Sequence, residues 1–113
     1  MHEMTIALNI VQLADDFARR EQARIIEAID LEIGELSGVV IDSLEFCFQA
    51  AVKNTMAEAA DINIHPIAGQ GRCTSCDSEF RMKHWPQACP TCQGWGVQVI
   101  AGREMKVRSI TIN

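Results

Sequence analysis

Cys73-Thr74-Ser75-Cys76 and, twelve residues later, Cys89-Pro90-Thr91-Cys92 are the stretch that decides the fold of this chain. Each Cys-x-x-Cys pair places two sulfurs on one tight turn, and two such pairs are typical of a tetrahedral four-thiolate zinc site. Four thiolates leave no coordination position open for water or substrate, so the predicted zinc is structural. The gap between the pairs fits a short β-hairpin. Two disulfides or a redox-active dithiol are the alternative interpretations.

The length of 113 residues predicts one ordinary domain, or a small domain that carries a metal-stabilised module. Hydrophobic residues make up 48% of the chain, yet no apolar run is long enough to span a membrane. The N-terminus lacks the basic segment of a secretory signal, which predicts a cytoplasmic protein. Thiols stay reduced in the cytoplasm, which favours metal binding over disulfides for the paired cysteines. The fifth cysteine, Cys47, lies far from the pairs and is expected in the core.

The net charge of −5 is unevenly distributed along the chain. Residues 1–68 carry twelve acidic and four basic side chains (−8), residues 69–102 carry two and three (+1), and residues 103–113 carry one and three (+2). An acidic protein is poorly suited to phosphate binding, so a zinc-ribbon adaptor or nucleic-acid-binding module is the weaker hypothesis. A zinc enzyme would need an open coordination site, which four cysteines do not leave.

Apolar periodicity predicts two helices in the acidic part of the chain. Residues spaced three and four apart predict a helix from residue 4 to about 20, with Leu13 toward the core and Asp15 toward the solvent. A second helix is expected from about Ser43 to Lys53, and Asp42 before it is a suitable N-cap.

Alternating apolar and polar residues predict the strands, which are Ile25–Ile33, Ile62–Ile67, a return strand at Trp95–Val99 and the terminal strand Glu104–Asn113. A lone terminal strand needs a sheet to join, so we expect it to return to the first sheet. The predicted fold class is therefore α+β. A small mixed β-sheet with two helices comprises residues 1–68 and strand 103–113, and residues 69–102 are inserted as a zinc-ribbon-like four-cysteine module.

Met1-His2-Glu3 is a second candidate metal site. The α-amino group of Met1, the amide nitrogen and imidazole of His2 and the amide nitrogen of Glu3 offer four nitrogens in a plane, which suits Ni²⁺ or Cu²⁺ better than Zn²⁺. The carboxylate of Glu3 is either a further ligand or a hydrogen-bond partner of the imidazole. An exposed histidine without a metal role is the plainer alternative. His65 in a strand and His84 between the cysteine pairs are expected to bind no metal.

The combination of motifs resembles the HypA/HybF family of nickel metallochaperones for hydrogenase maturation. The resemblance covers essentially the whole chain and rests on Met1-His2-Glu3, on the LEIGELSG segment at residues 31–38, on the two Cys-x-x-Cys pairs and on Val107-Arg108-Ser109-Ile110. It implies a nickel carrier that is not an enzyme, with nickel held by His2 and the backbone of Met1 and Glu3. It also implies structural zinc at Cys73, Cys76, Cys89 and Cys92.

The resemblance implies partners as well. The cargo nickel would pass to the large subunit of [NiFe] hydrogenase in concert with a GTPase, HypB, and some family members also supply urease maturation. Some members carry a histidine directly after a Cys-x-x-Cys pair, where this chain has Asp77 and Gln93, and this argues against exchange of histidine into the zinc site. The acidic part near His2 is a predicted docking face for the GTPase, with Glu35 and Glu58 as its test positions.

Overall fold

The computed structural model describes residues 2–113 as two helices and two three-stranded sheets, the α+β class that the sequence predicts. The helices are α1 (Glu3–Arg20) and α2 (Ile41–Ala51), and the strands are β1 (Ile26–Gly34), β2 (Asp61–Ile67), β3 (Gly69–Cys73), β4 (Glu79–Met82), β5 (Val97–Ala101) and β6 (Met105–Ile112). The molecule is elongated and measures 55 × 24 × 16 Å. Within residues 2–113, neither helix has the length and apolar character needed to cross a membrane.

The first sheet has the strand order β2-β1-β6. Its central strand β1 pairs in parallel with β2 and antiparallel with β6, so the terminal strand joins this sheet and makes it mixed. Ile29, Leu31 and Ile33 of β1 are fully buried, because alternate residues of a strand point to the same face. Pro66 lies in the edge strand β2, where a residue without an N–H is tolerated.

The two helices pack against each other and form one core cluster with β1. Alanines such as Ala7 and Ala14 are fully buried on α1, and they allow α2 to approach closely. Leu44 and Phe48, one turn apart on α2, complete this core. Cys47, which the sequence places in the core, is half-buried and packs against the same cluster.

Two positions of α1 contradict the predicted amphipathic pattern. Leu13 is 53% exposed and lines an open groove of about 590 Å³ between α1 and β6, whereas Asp15 is only 8% exposed. Asp15 lies on the side of α1 that the segment after α2 covers, and its Oδ1 accepts a hydrogen bond from the Met56 amide at 3.3 Å. Apolar periodicity predicts which face of a helix is buried. It does not show which residues at the edge of that face will be covered by a later segment of the chain.

Asp15→Ala should destabilise the protein by about 1–3 kcal/mol, because the Met56 amide would lose its partner in a partly buried contact. Urea unfolding of the zinc-loaded protein, followed by circular dichroism of the helices, measures this difference. Asp16→Ala is the matched control, since Asp16 is exposed and accepts only a surface hydrogen bond from Gln12. Its expected effect is within about 0.5 kcal/mol, and equal losses in the two variants would contradict a stabilising role for Asp15.

The start of α2 differs from the prediction. The N-cap residue is Val40, whose side chain makes no capping hydrogen bond, so the assignment of Asp42 as N-cap is wrong. Asp42 instead lies in the first turn, where a negative charge interacts favourably with the helix dipole. The Val40 amide donates to Glu3 Oε2 at 3.3 Å, and this bond places the starts of the two helices side by side.

The second sheet has the order β4-β3-β5, with β3 antiparallel to both neighbours. The expected hairpin between the two cysteine pairs is not observed within the described residues. Instead, β3 and β4 form a hairpin around the first pair, and β5 returns along the other edge of β3 with Val97 opposite Cys73. Gly69-Gln70-Gly71, where the predicted module begins, is part of β3, and Met82 occupies the space where a side chain at Gly71 would lie. The division of the chain into a domain of residues 1–68 with 103–113 and a four-cysteine module of residues 69–102 stays a proposal.

Candidate metal centre

The first cysteine pair is held in a tight turn between β3 and β4. The Asp77 amide donates to the Cys73 carbonyl and the Cys73 amide donates to the Ser78 carbonyl, both at 2.9 Å. Asp77 closes the turn with a φ of 64°, in the left-handed region. The Ser75 amide points at Cys73 Sγ over 3.4 Å. This backbone arrangement brings the sulfurs of Cys73 and Cys76 to one side of the turn.

The second pair repeats the same geometry. The Gln93 amide donates to the Cys89 carbonyl and the Cys89 amide donates to the Gly94 carbonyl, both at 2.8 Å, and Gln93 has a φ of 63°. Thr74 ties the two regions together, because its amide and its hydroxyl both donate to the Gly96 carbonyl, at 2.8 and 2.7 Å. The two turns therefore present their cysteines to each other.

The four sulfurs converge on a single point. All four Sγ atoms lie within 4.8 Å of one another, and two of the contacts, Cys73–Cys92 at 3.5 Å and Cys76–Cys89 at 3.6 Å, each join one turn to the other. A tetrahedral zinc site with Zn–S bonds of about 2.3 Å has sulfurs roughly 3.8 Å apart. The cluster therefore has the size of a four-thiolate metal site. None of the five cysteines is joined in a disulfide in the structure.

The surroundings of these thiols shift their pKa values in opposite directions. Hydrogen bonds with the hydroxyl and the amide of Ser78 lower the pKa of Cys76 to about 6. The Gly94 amide acts to lower the pKa of Cys92, but hydrogen bonding with Cys73, burial and the other two thiols outweigh it and raise that pKa to about 11. Four thiolates at these distances repel one another, and a dication at their centre would offset the repulsion.

The histidines lie outside this cluster. Across residues 2–113, the four cysteines are the only group of three or more Cys, His, Asp or Glu side chains that could hold a metal ion. His84 is exposed in the segment between the pairs. His65 Nε2 lies 2.8 Å from Asp30 Oδ1 across β1 and β2, and this contact is the main cause of the lowered pKa of Asp30.

His2 is the N-cap residue of α1 and is exposed. Its carbonyl accepts the first helical hydrogen bond, from Ile6 at 3.2 Å. The first N–H groups of a helix have no partner inside the helix, so the amides of His2 and Glu3 carry no helical hydrogen bond. A metal that ionised these two amides would leave the hydrogen bonds of α1 intact. Met1, which the sequence places in the same chelate, lies outside the described residues.

The carboxylate of Glu3 has a partner that neither of its predicted roles includes. Glu3 as a residue is half-buried, and its Oε2 accepts the hydrogen bond from the Val40 amide described above. The side chain therefore links the starts of α1 and α2. Sequence reasoning missed this contact because the two residues are separated by 37 positions.

Glu35 is unsuitable as a test position for the predicted acidic docking face. The Glu35 carboxylate is not a free charge: it accepts hydrogen bonds from Arg81 Nη2 at 2.6 Å and from the Gly69 amide at 3.2 Å. Glu58 is exposed and still suits a test of electrostatic docking. The docking face itself stays a prediction.

Comparison with known proteins gives one consistent result. A family model described as "Hydrogenase/urease nickel incorporation, metallochaperone, hypA" matches residues 1–112. Relatives named hydrogenase maturation factor HypA include a protein of Chlorobaculum tepidum, 44% identical over 112 residues, and one of Geobacter metallireducens, 39% identical over 112 residues; each alignment covers 99% of both chains. The solution structure of the Ni metallochaperone HypA from Helicobacter pylori has a TM-score of 0.69 at 23% identity, covers 99% of this chain and 97% of that chain, and supports the fold.

Proposed function

This chain belongs to the HypA family of hydrogenase and urease nickel-incorporation metallochaperones, which are maturation factors and not enzymes, and from that premise we propose that it binds one Ni²⁺ at its N-terminus and delivers it to the large subunit of [NiFe] hydrogenase. The observation that carries the proposal is the match of residues 1–112 to the family. Nickel is the cargo of this protein and leaves with the acceptor.

The nickel ligands in this proposal are the imidazole and amide of His2, the amide of Glu3 and the backbone nitrogen of Met1. Two features support it: His2 is exposed, and helix α1 does not use the His2 and Glu3 amides in its own hydrogen bonds. A planar set of nitrogen ligands favours Ni²⁺ or Cu²⁺ over Zn²⁺. An exposed terminal chelate also suits a carrier, because an acceptor's ligands can reach the metal and displace it. The Glu3 carboxylate, bound to Val40, is outside the proposed ligand set.

The structural metal in this proposal is zinc, held by Cys73, Cys76, Cys89 and Cys92. Its support is the size of the sulfur cluster and the preference of Zn²⁺ for four thiolates in a closed tetrahedral site. When bound, zinc supplies folding free energy to the four-cysteine module and no open position for chemistry. The residues after the two pairs, Asp77 and Gln93, provide no imidazole that could replace a thiolate.

The proposed partners are the large subunit of [NiFe] hydrogenase as acceptor and the GTPase HypB as co-chaperone. Urease maturation factors are the second acceptor class, because the family description names both hydrogenase and urease. Nucleic acid is not among the proposed partners, since the chain has a net charge of −5.

Metal analysis of the purified protein tests the two-site proposal. Without added nickel we expect one zinc per chain. After nickel loading and desalting we expect one zinc and one nickel, and the nickel should pass to the nickel-free large subunit while the zinc stays. Nickel uptake that displaces an equal amount of zinc would contradict separate sites, and retention of nickel in the presence of the acceptor would contradict delivery.

A further inference from the structure

The segment directly after β1 lies where the chain enters and leaves the four-cysteine module. Its backbone amides bind the two segments that connect the first sheet to the module. The Glu35 amide donates to the Ile67 carbonyl at 2.8 Å on the entering side, and the Leu36 amide donates to the Gly102 carbonyl at 2.7 Å on the leaving side. The amide of Gly34 donates to Glu104 at 2.6 Å. These bonds hold the base of the module, here called its root (residues 67–69 and 102–104), against the end of the first sheet.

Close approach of the backbones strengthens this root. A Cβ atom at Gly34 would collide with the Gly102 carbonyl, and one at Gly69 would collide with the Met82 carbonyl and the side chain of Leu36. Gly102 has a φ of 110°, which disfavours any other residue at that position. The three glycines therefore let the incoming and outgoing chains pack directly against the end of β1.

Two side chains extend the contact beyond the root. Glu35 bonds through one carboxylate oxygen to the Gly69 amide and through the other to Arg81, which lies on β4 inside the module. Leu36 packs against the small core of the module, which includes Met82 and Val97. Hydrogen bonding from Gly69 and then from Arg81 lowers the pKa of Glu35, so the carboxylate is ionised at neutral pH.

We propose that Glu35 is a positioning residue: its bond to Arg81, supported by Leu36, fixes the orientation of the four-cysteine module relative to helix α1, whose N-cap residue is His2. The backbone hydrogen bonds restrain only the root, around residues 67 and 102–104, and the β3–β4 hairpin would be able to tilt about that root. The bond from Glu35 to Arg81 on this hairpin, together with the packing of Leu36 against the module core, resists this tilt. The consequence for nickel transfer, a fixed geometry between a partner bound at the module and His2, rests on the proposed function.

Residual dipolar couplings of the zinc-loaded full-length protein test the orientation directly. In the wild-type protein, couplings from residues 3–67 and from residues 69–101 should fit one alignment tensor. In Glu35→Ala the two sets should require different tensors, while each set still fits its own part of the structure. Glu32→Ala is the matched control, because Glu32 pairs with Arg108 at 3.0 Å and Lys106 at 3.6 Å within the first sheet and should leave the shared tensor unchanged.

A shared tensor in Glu35→Ala, or separate tensors in the wild-type protein or in Glu32→Ala, overturns the proposal. If Glu35→Ala loses its folded spectrum, Arg81→Ala removes the same bond from the other side, and a shared tensor there has the same meaning. Nickel titration of Glu35→Ala separates this result from a failure of the proposed function: affinity equal to that of the wild-type protein is expected, because Glu35 lies outside the proposed ligand set.

Discussion

Cys89→Ser is expected to abolish the ordered structure of residues 69–102 and to leave the first sheet and both helices folded. The buried core of the four-cysteine module consists of only Cys73, Met82, Cys89 and Val97, so two of its four members are also proposed zinc ligands. A core of this size cannot offset the conformational entropy of about 1–2 kcal/mol per residue that folding costs. Structural zinc contributes about 10–16 kcal/mol in comparable small sites, and we therefore expect the metal to stabilise the module more than its apolar core does. Removal of one buried thiolate opens the coordination shell and loses most of that stabilisation.

Amide NMR spectra and zinc analysis of the Cys89→Ser protein measure this outcome. Signals of residues 69–101 should collapse to unfolded positions, zinc should be lost, and signals of β1 and α1 should keep their dispersion. Cys47→Ser is the matched control, since Cys47 is half-buried in the other core and lies outside the sulfur cluster. It should keep one zinc and a folded module. Dispersed module signals in zinc-free Cys89→Ser would show that the module folds without metal.

The features predicted correctly from the sequence are those that neighbouring residues specify. The extent of α1 follows from local apolar spacing, and the central strand follows from the alternation that buries Ile29, Leu31 and Ile33. Each Cys-x-x-Cys turn follows in the same way, because its hydrogen bonds lie within six residues, from Cys73 to Ser78 in the first case. The meeting of the two turns was predicted from a different signal, the preference of zinc for four thiolates.

The features that the sequence did not reveal depend on contacts between distant residues. Asp15 has the local pattern of a solvated residue, and only the segment containing Met56 buries it. The amide of Val40, the N-cap residue of α2, is bound by Glu3 from the other helix, which no capping motif near residue 40 could indicate. The bond between Glu35 and Arg81 joins residues that are 46 positions apart, so no local pattern indicates it. Long-range partners of this kind require the folded topology, and a single sequence contains no direct record of them.

His2→Ala is expected to lower the affinity for Ni²⁺ by more than about 100-fold, since loss of an outer-shell partner of a metal ligand already costs about 10–100-fold. In the proposed site the imidazole closes a chelate ring with its own amide, so its removal deletes one ligand and weakens the binding of the neighbouring nitrogens. The zinc content should stay at one per chain, because the sulfur cluster includes no histidine. In the wild-type protein the affinity should fall as the pH is lowered, because the α-amino group, the imidazole and the two amides must each be deprotonated to bind the metal.

Competition titration with a coloured nickel chelator measures these affinities, and His84→Ala provides the matched control. Both histidines are exposed, but His84 lies in the four-cysteine module and outside the proposed nickel site. His84→Ala should therefore bind nickel as the wild-type protein does. If His2→Ala also retained wild-type affinity and stoichiometry, the N-terminal site would be wrong, whereas equal losses in the two variants would point to weak binding by surface histidines in general. A selective loss in His2→Ala, with zinc retained in both variants, is the pattern that a nickel carrier with a separate structural metal requires.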